Sequence, residues 1–286
     1  MHSNSHTDKK GCLYITATPI GNLGDITLRA LETLKKVDII AAEDTRHTGK
    51  LLSHFEIKSN LIAIHEHNEE KVSEKIIREI SKGKSVAIVS DAGTPSVSDP
   101  GYILVKKALE SNIDVVPIPG VSAVVTAISA SGLPSDSFIF LGFPPKKKGK
   151  RINLLSSLKD EKRTLIFYES PNRISSFLKE LTEIFGERKA VLSREMTKLH
   201  EEFIRGTFTE ILKSLSSKVK VKGECTFIIE GACKKTAISD IELRVLIKEE
   251  VKMSDEGTSR LAKDLSKKYD ISKTKIYDII LDLKNE

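Results

Sequence analysis

The sequence predicts an α/β protein with two domains and a small helical appendage at its C-terminal end. Short apolar strands alternate with amphipathic helices through the first half of the chain. The runs "VDIIAA" and "VAIVS" lack the apolar–polar alternation of a half-exposed sheet and are typical of parallel strands buried on both faces. At 286 residues, the chain is also too long for one small domain.

Three parts follow from this pattern. We expect an N-terminal α/β domain over residues 11–118 with a largely parallel sheet, and a second α/β domain over 119–235 with a more antiparallel sheet. Residues 236–286 predict three short helices, the last two of which resemble a helix–turn–helix pair. Such a pair can contact nucleic acid, but a packing or dimer-stabilising role is at least as good an interpretation of this appendage.

The elements are predicted in chain order from local composition and period. The first domain should contain strands Leu13–Ala17, Val37–Ala42, Leu61–His65, Val86–Ser90 and Val115–Ile118, and helices Thr27–Lys35 (N-cap Asp25), Thr48–His54, Glu69–Ser81 and Tyr102–Ser111. The second should contain helices Val121–Ser131 and Arg173–Phe185, and strands Phe138–Phe143, Thr164–Tyr168, Ala190–Arg194, Glu201–Gly206 and Glu224–Glu230. The appendage should contain helices Ile241–Lys252, Thr258–Lys268 and Lys273–Leu283.

Charge and cysteine usage restrict the class of protein. A net charge of +6 favours a polyanionic partner without requiring one. Cys12, Cys225 and Cys233 form no C-x-x-C pair, which argues for a reducing compartment. His65 and His67 could share a metal, but no third ligand is evident nearby, so we predict no metal site. The polar N-terminal segment predicts no signal peptide, and we expect a cytoplasmic protein without a membrane segment.

Four loops that follow predicted strands carry the candidate chemistry. They are "TPIGNLGD", "AEDTRHT", "SDAGTPSVSDPG" and "PIPGVSA", after the first, second, fourth and fifth strands. Glycine and proline make turns for structural reasons alone. The carboxyl ends of parallel strands, however, meet at one edge of a sheet, where ligands bind. Four such loops at one edge therefore predict a binding cleft.

The side chains of these loops indicate what the cleft accepts. No loop combines a run of backbone N–H groups with a lysine, as a triphosphate cradle would. The loops offer hydroxyls and carboxylates instead, namely those of Thr94, Ser98, Ser122, Glu43, Asp44, Asp91 and Asp99. Such groups suit a nucleoside that carries an amino acid, which is the character of S-adenosylmethionine.

Four segments carry a resemblance to a known family. They are "ATPIGNLGDITLRALETLKKVDIIAAEDTRHTGKLL", "VAIVSDAGTPSVSDPGYILV", "PIPGVSAVVTAISASGLP" and "TLIFYESPNR", and "REMTKLHEEFIRGT" adds to them. Over about residues 11–231 the chain resembles the tetrapyrrole-methylase-fold (class III) methyltransferases. The resemblance implies two α/β domains with a cleft between them, S-adenosylmethionine as cofactor and a homodimer. Within the family, the segments are similar to the branch that methylates the ribose 2′-hydroxyl of a cytidine in the decoding centre of 16S rRNA, so 16S rRNA or the small ribosomal subunit is the expected partner.

The resemblance also implies cofactor contacts, position by position. The expected cofactor-binding residues are Pro19, Ile20, Gly21, Asp91, Ala92, Gly93, Thr94, Ser98, Ser122, Ala123, Tyr168 and Gly231. The sequence departs from the family at Ser96 and Val97, where Gly-Ile is expected, at Val121, where proline is usual, and at Asn172, where histidine is usual.

Residues for catalysis and RNA binding are predicted from the chemistry and charge of their side chains. A base would help to deprotonate a ribose hydroxyl, and Glu43, Asp44, Glu195 and Lys198 are candidates, although each carboxylate could equally be an N-cap or an ion-pair partner. The segment Lys146–Arg151 has five basic residues among six and is either a solvated loop or a mobile arm for phosphates. The predicted RNA-binding residues are Arg46, Lys50, Lys146, Lys147, Lys148, Lys150, Arg151, Arg173 and Arg194.

Two other functions remain open from the sequence. One is C-methylation of a tetrapyrrole ring on the same fold. The other is a non-catalytic RNA-binding or assembly factor, which the intact set of cofactor loops disfavours. A basic groove between the two domains would favour RNA over a tetrapyrrole.

Overall fold

The structure is a computed structural model that describes residues 11–217, 222–232, 240–254, 257–269 and 271–285. The predictions about the N-terminal ten residues and about Cys233 lie outside these ranges. The chain forms two compact units, residues 1–232 and 233–286. Both sheets belong to the first unit, so the expected boundary near residue 119 stays a prediction.

The first sheet is parallel throughout, as the sequence predicts. Its strands have the order β3-β2-β4-β1-β5. They are β1 (Cys12–Thr16), β2 (Ile39–Ala42), β3 (Asn60–Ala63), β4 (Val86–Val89) and β5 (Asp114–Ile118). The helices between them are α1 (Leu28–Lys36), α2 (Thr45–His54), α3 (Glu69–Ser81) and α4 (Tyr102–Glu110).

The apolar run of β2 shows why these strands lack alternation. Ile39 and Ala41 pack into the core on one face of the sheet, whereas Ile40 and Ala42 pack into the core on the other. All four residues of the strand are buried. A strand covered by helices on both faces needs apolar side chains at every position.

The second sheet is mixed and mostly antiparallel, with the order β6-β7-β10-β8-β9. Only β6 and β7 run parallel. The strands are β6 (Phe138–Phe140), β7 (Thr164–Glu169), β8 (Lys189–Arg194), β9 (Glu202–Thr207) and β10 (Cys225–Ile229). The helices of this part are α5 (Ala123–Ser129), α6 (Lys148–Ser157), α7 (Ile174–Phe185) and α8 (Phe208–Ser216).

The two faces of the second sheet differ in what covers them. One face packs an aromatic core made by Phe167, Phe177, Phe208 and Phe227, which are at most 1% exposed. On the other face, Ile166 and Ile228 pack with α5 and with Ile20, from the loop that follows β1. The second face thus brings a loop of the parallel sheet against the antiparallel one.

Several local predictions need correction. Thr27, not Asp25, is the N-cap of α1, because its side chain accepts a hydrogen bond from the backbone N–H of Ala30. Helix α6 begins at Lys148, inside the segment that the sequence predicts as a loop. Helix α8 was not predicted, although Thr207 and Glu210 form a capping box at its start.

The second compact unit contains three helices within its described residues. They are α9 (Asp240–Met253), α10 (Thr258–Tyr269) and α11 (Lys273–Asn285), as the sequence predicts to within a few residues. Leu243, Ile247, Leu265, Ile276 and Ile280 form its core. This unit has a hydrophobic core of its own.

Candidate cofactor and substrate site

A cavity of about 350 Å³ lies in the first compact unit, which is within the usual range for a small-molecule site. Loops after β1, β4 and β5 form one wall, and residues of β7, β10 and the turn after β8 form the other. Its lining residues are Ile20, Ala92, Gly93, Thr94, Val97, Asp99, Ser122, Ala123, Phe143, Tyr168, Glu169, Ser170, Pro171, Met196, Gly223, Glu224, Cys225 and Thr226.

Hydrogen bonds tie the loops of the first wall together. The backbone groups of Thr18 and Gly93 exchange two hydrogen bonds, of 2.9 and 3.0 Å. The hydroxyl of Thr18 donates to the carbonyl of Ser90, and that of Thr94 donates to the carbonyl of Val121. The loops after β1, β4 and β5 therefore form one connected surface.

The glycine-rich loop after β1 packs against a protein turn. A Cβ at Gly21 would lie 2.5 Å from Cγ of Lys198 and 2.7 Å from Oγ1 of Thr197. The N–H of Asn22 donates to Oγ1 of Thr197 at 2.9 Å. Gly21 is needed for this close approach, and the loop presents Ile20 to the cavity while it docks on the turn.

The acidic residues of the first wall have separate roles. Asp91 accepts a hydrogen bond from the N–H of Asp44 at 3.1 Å, and its own N–H donates to Glu43 at 3.3 Å. Asp44 is the N-cap of α2, and its hydrogen bonds with Arg46 hold the pKa of its carboxyl well below the usual range. None of these three carboxylates lines the cavity. They join the loop after β2 to the loop after β4.

Asp99 is the acidic residue of the first wall that lines the cavity. Burial raises the pKa of its carboxyl to about 7, and the negative charges of Glu43 and Asp91 add to this effect against a hydrogen bond from Ser90. Burial also raises the pKa of Glu43. A carboxyl with a pKa near neutrality can accept a proton at working pH.

The loop that carries Asp99 is anchored by a buried carboxylate. Glu69 is 7% exposed and accepts hydrogen bonds from the N–H groups of Gly101 and Ile103, both at 2.9 Å. It thus caps the start of α4 from the neighbouring helix α3. Ser96 and Ser98 have φ values of 69° and 67°, the left-handed region that favours glycine. The family's glycine at position 96 matches this conformation.

The second wall is aromatic and polar. The ring of Tyr168 packs against those of Phe140 and Phe143, with centroids 4.9 and 5.5 Å away. Burial and the charges of Asp99 and Glu224 raise the pKa of Tyr168 to about 12. The phenol is therefore neutral at physiological pH and is available as a hydrogen-bond donor.

Lys198 is held as a cation. Its ammonium lies 3.0 Å from the carboxylate of Glu195 and 2.9 Å from that of Glu224. Burial disfavours the charge, but the hydrogen bonds to both glutamates outweigh it and raise the pKa of Lys198. A lysine that acts as a base needs a lowered pKa, so this geometry does not favour the predicted catalytic role.

Seven of the twelve predicted cofactor-binding residues line the cavity: Ile20, Ala92, Gly93, Thr94, Ser122, Ala123 and Tyr168. Pro19, Gly21, Asp91 and Ser98 lie in the same loops but do not line it. Gly231 lies beyond the opposite end of β10, where its Cα packs against the backbone carbonyl of Lys162. The start of β10, at Cys225 and Thr226, lines the cavity instead.

Sequence reasoning left several lining residues without a role or outside the site. Asp99 was expected among the carboxylates of the cleft, but it was not proposed as a base, and its position two residues before a helix-capping glycine was the available signal. Glu169, Ser170 and Pro171 follow directly on the recognised Tyr168. Phe143 was assigned to a strand, which ends three residues earlier.

The predicted RNA-binding residues divide by their surroundings. Lys50, Lys146, Lys147, Lys148 and Lys150 are exposed, and the side chain of Arg46 is 88% exposed beside Asp44. The other three arginines form ion pairs within the protein, and their predicted contacts with RNA stay a prediction: Arg151 pairs with Glu180, Arg194 with Glu202, and Arg173 with the buried Glu169.

Two further features were searched for in the described residues. Within these ranges, no group of three or more His, Cys, Asp and Glu side chains is placed to hold a metal ion. Among the helices so described, none is both long and apolar enough to cross a membrane.

The fold and the site define a class of protein. Residues 12–212 match the family of tetrapyrrole (corrin/porphyrin) methylases, and the chain belongs to this family. The membership confirms the predicted family, the fold class and a methyltransferase that uses S-adenosylmethionine.

Individual proteins also match the chain over most of its length. The chain is 43% identical over 284 residues to a protein named ribosomal RNA small subunit methyltransferase I from Streptococcus pyogenes serotype M3, covering 98% of each chain. It is 49% identical to a protein of the same name from Halalkalibacterium halodurans, over 81% of this chain and 80% of the relative.

Solved structures of the family show the same fold. A uroporphyrin-III C-methyltransferase from Thermus thermophilus matches with a TM-score of 0.57 at 20% identity, covering 77% of this chain and 94% of the other. The methyltransferase CobJ matches with a TM-score of 0.60 at 15% identity, covering 78% of this chain and 95% of the other. These likenesses concern the fold alone.

Proposed function

We propose that the protein transfers the methyl group of S-adenosylmethionine to the ribose 2′-hydroxyl of a cytidine in the decoding centre of 16S rRNA. The observation that carries this proposal is the cavity, where three loops from the carboxyl edge of the parallel sheet meet the second sheet around Asp99. The full-length similarity to proteins named as small-subunit rRNA methyltransferases supports RNA as the substrate class.

The residues present fit the cofactor. Ile20, Ala123 and Met196 offer apolar surface, and Thr94 and Ser122 offer hydroxyls. Glu224 offers a carboxylate to an ammonium group. A nucleoside that carries an amino acid needs this combination of surfaces, and these residues would hold it.

The reaction needs little from the protein beyond position and a proton acceptor. When bound, S-adenosylmethionine supplies an activated methyl group, so the ribose oxygen can attack directly. The cavity walls would hold the ribose hydroxyl next to the methyl group, which is the contribution that positioning makes to such a transfer. Asp99 accepts the hydroxyl proton, because its carboxyl lines the cavity and its pKa lies near 7.

The residues first expected to act as bases make other interactions in the structure, and one of them affects the pKa of Asp99. Glu43 lies behind it, and its charge helps to raise the pKa of Asp99. Asp44 and Asp91 tie the loops together by the hydrogen bonds described above. Lys198 fixes the turn after β8 against the loop of Gly21.

The exposed lysines supply the contacts to the RNA backbone. Lys50, Lys148 and Lys150 are exposed, and Arg46 extends into solvent from the first turn of α2. Point charges of this kind contribute affinity that falls with salt and carries little sequence information. We place the reaction in the cytoplasm, and the family resemblance supports a homodimer.

The test is methyl transfer from labelled S-adenosylmethionine into purified small ribosomal subunits that lack the modification. The product is digested to nucleosides and analysed by mass. We expect label in 2′-O-methylcytidine. Label in a different nucleoside would overturn the ribose assignment and keep the RNA substrate.

Two alternatives give different results in the same assay. A tetrapyrrole C-methyltransferase would bind the cofactor in calorimetry and label uroporphyrinogen III but not RNA. A non-catalytic assembly factor would bind the subunit and transfer no methyl group to either substrate. The exposed lysines of the segment that follows Phe143 favour RNA over the tetrapyrrole.

A further inference from the structure

Phe143 is an aromatic side chain that the protein covers only in part, by packing against the ring of Tyr168 with centroids 5.5 Å apart. The four phenylalanines of the aromatic core are at most 1% exposed, whereas Phe143 is 57% exposed. It also lines the cavity, so its exposed ring lies at the cavity mouth. The exposed part of this ring, beside the cavity, can pack against a planar group of a ligand.

The backbone holds this ring in a fixed position. The carbonyl of Gly142 accepts a hydrogen bond from the N–H of Tyr168 at 2.9 Å, which continues the pairing of β6 with β7. Gly142 has φ 62°, a conformation that turns the chain at this point. Pro144 and Pro145 follow and restrict the backbone on the other side. These contacts fix the backbone at Phe143, and the ring of Tyr168 packs against its side chain, which lowers the entropy lost on binding.

Cationic side chains follow the ring directly. Lys146 and Lys147 are exposed, and in the described part of the chain their ammonium groups enter no ion pair. Arg151 fixes the segment that presents them, because its Nη1 donates to the carbonyls of Pro145 at 2.9 Å and Lys146 at 3.1 Å. Glu180 in turn holds the guanidinium of Arg151 at 2.6 Å.

We propose that Phe143 is the stacking platform for the target nucleotide. A base turned out of the RNA lies against the exposed ring, and Lys146 and Lys147 contact the neighbouring phosphates. Sequence-specific recognition of RNA commonly targets single-stranded segments, whose unstacked bases are held on aromatic side chains. This inference rests on the proposed function and names the part of the site that receives the RNA.

The chain has no tryptophan, which provides a direct optical test. Phe143→Trp introduces a single tryptophan at the platform, which is excited selectively at a wavelength where the five tyrosines absorb little. Leu109→Trp is the matched control, because Leu109 is 60% exposed and lies outside the cavity lining. We expect a short RNA with a single-stranded cytidine to quench the fluorescence of the Phe143→Trp variant and to leave that of Leu109→Trp unchanged. The same RNA with an abasic site at that cytidine should quench much less.

The cofactor also carries a planar base, and the same variant distinguishes the two sources. Quenching by S-adenosylmethionine alone, with no further change on adding RNA, would show that the ring stacks on the adenine and would overturn the proposal. Quenching by RNA and not by the cofactor supports it. This assay needs no turnover, so it decides the role of Phe143 whether or not rRNA is methylated.

Kinetics give a second, independent test. Phe143→Ala and Phe143→Leu should both raise the KM for small subunits by about 10- to 100-fold, because neither side chain has a π-face on which a base can stack. Leucine keeps an apolar side chain, so an equal effect of the two variants would separate stacking from apolar contact. The Kd for S-adenosylmethionine, measured by calorimetry, should not change. Wild-type KM in both variants would overturn the platform and leave the proposed function intact, whereas no methylation by the wild-type protein would count against the function itself.

Discussion

The two sheets contribute to the cavity in different ways. In the parallel sheet, β1, β4 and β5 all end at one edge, and the loop after each of them reaches the cavity. In the antiparallel part of the second sheet, neighbouring strands end at opposite edges. There the end of β7 and the start of β10 lie side by side, with Tyr168 paired to Thr226 and Glu169 to Cys225.

This difference decides how well a site can be read from sequence. In a parallel sheet, the position after each strand is enough to assign a loop to the functional edge. In an antiparallel sheet, the assignment also requires knowledge of which end of each strand faces the site. Gly231, which was expected to contact the cofactor, follows the end of β10 opposite to the end that lines the cavity, and its predicted role stays a prediction.

The largest expected effect tests the contribution of the parallel sheet to catalysis. Asp99→Asn keeps the size of the side chain and removes the proton acceptor. We expect kcat for RNA methylation to fall about 10²- to 10⁴-fold, the usual contribution of a general base. The Kd for S-adenosylmethionine in calorimetry is the control and should remain close to that of the wild type.

A pH–rate profile separates this role from a structural one. With a pKa of about 7, the Asp99 carboxyl is ionised above that pH, so kcat/KM should rise with pH through about 7. In the Asp99→Asn variant, the residual kcat/KM should no longer rise with pH through about 7. If it still rises in the same way, the ionisation belongs to another group.

A second prediction contrasts arginine and lysine in the same basic segment. Arg151 and Glu180 form an ion pair with side chains 13% and 12% exposed, and removing one partner leaves the other charge without compensation. Arg151→Ala should lower the free energy of unfolding by about 3 kcal/mol. Lys146→Ala, on the same segment, should leave it unchanged and reduce the salt dependence of RNA binding. Equal stability of the two variants in urea unfolding would contradict this division.

A third prediction contrasts two glycines that both allow close approach. A Cβ at Gly231 would overlap the carbonyl of Lys162, so Gly231→Ala should cost about 1–3 kcal/mol of stability and leave the cofactor Kd of the folded protein unchanged. Gly21→Ala should push the loop of Ile20 from the turn at Met196 and weaken cofactor binding. Calorimetry beside thermal unfolding tests both, and a Gly231→Ala variant that weakens cofactor binding would return Gly231 to the site.

The stability of the fold should also depend on the ionisation of Asp99. Its pKa of about 7 in the folded protein lies above the ordinary value of 3.8, so the protonated carboxyl favours the folded state. Its contribution is fully present below about pH 4 and is lost as pH rises through about 7. Asp99→Asn should therefore raise the Tm relative to wild type at pH 8 and not at pH 4. An equal shift at both pH values would show that the effect is not ionisation.

The smallest effect concerns Glu43, whose carboxylate does not line the cavity but whose charge affects the pKa of Asp99. Glu43→Gln removes a negative charge that helps to raise the pKa of Asp99. The acid limb of the pH–rate profile should move to lower pH, with kcat on the plateau close to that of the wild type. A large loss of plateau kcat would return Glu43 to the direct catalytic role first expected of it.

Much of the first sheet could be predicted because its signals are local. The strands of the parallel sheet are continuous apolar runs, and the glycine and proline loops between them are short and distinctive. Seven of the residues that the family resemblance predicts to bind the cofactor line the cavity. Helix α6 was missed because its first turn is a run of lysines, a composition typical of a loop.

The rest of the site depends on contacts far apart in sequence. The pairing of Arg151 with Glu180 spans 29 residues, and the link between Asn22 and Thr197 spans 175. The pKa of Asp99 depends on Glu43 and Asp91, which come from loops after two different strands. No local pattern shows which charges will be buried together.

The anchoring of the Asp99 loop has a consequence for which oxygen is modified. Glu69 fixes one end of the loop at Gly101, and the Thr18–Gly93 pair fixes the other. Under the proposed function, the carboxylate of Asp99 would therefore be a fixed proton acceptor, to which the substrate must bring its hydroxyl. Within a continuous RNA strand, the 3′-oxygen is esterified and the 2′-hydroxyl is the free one on each ribose. The covalent structure of the strand would then select the oxygen, and the protein would have to select only the nucleotide.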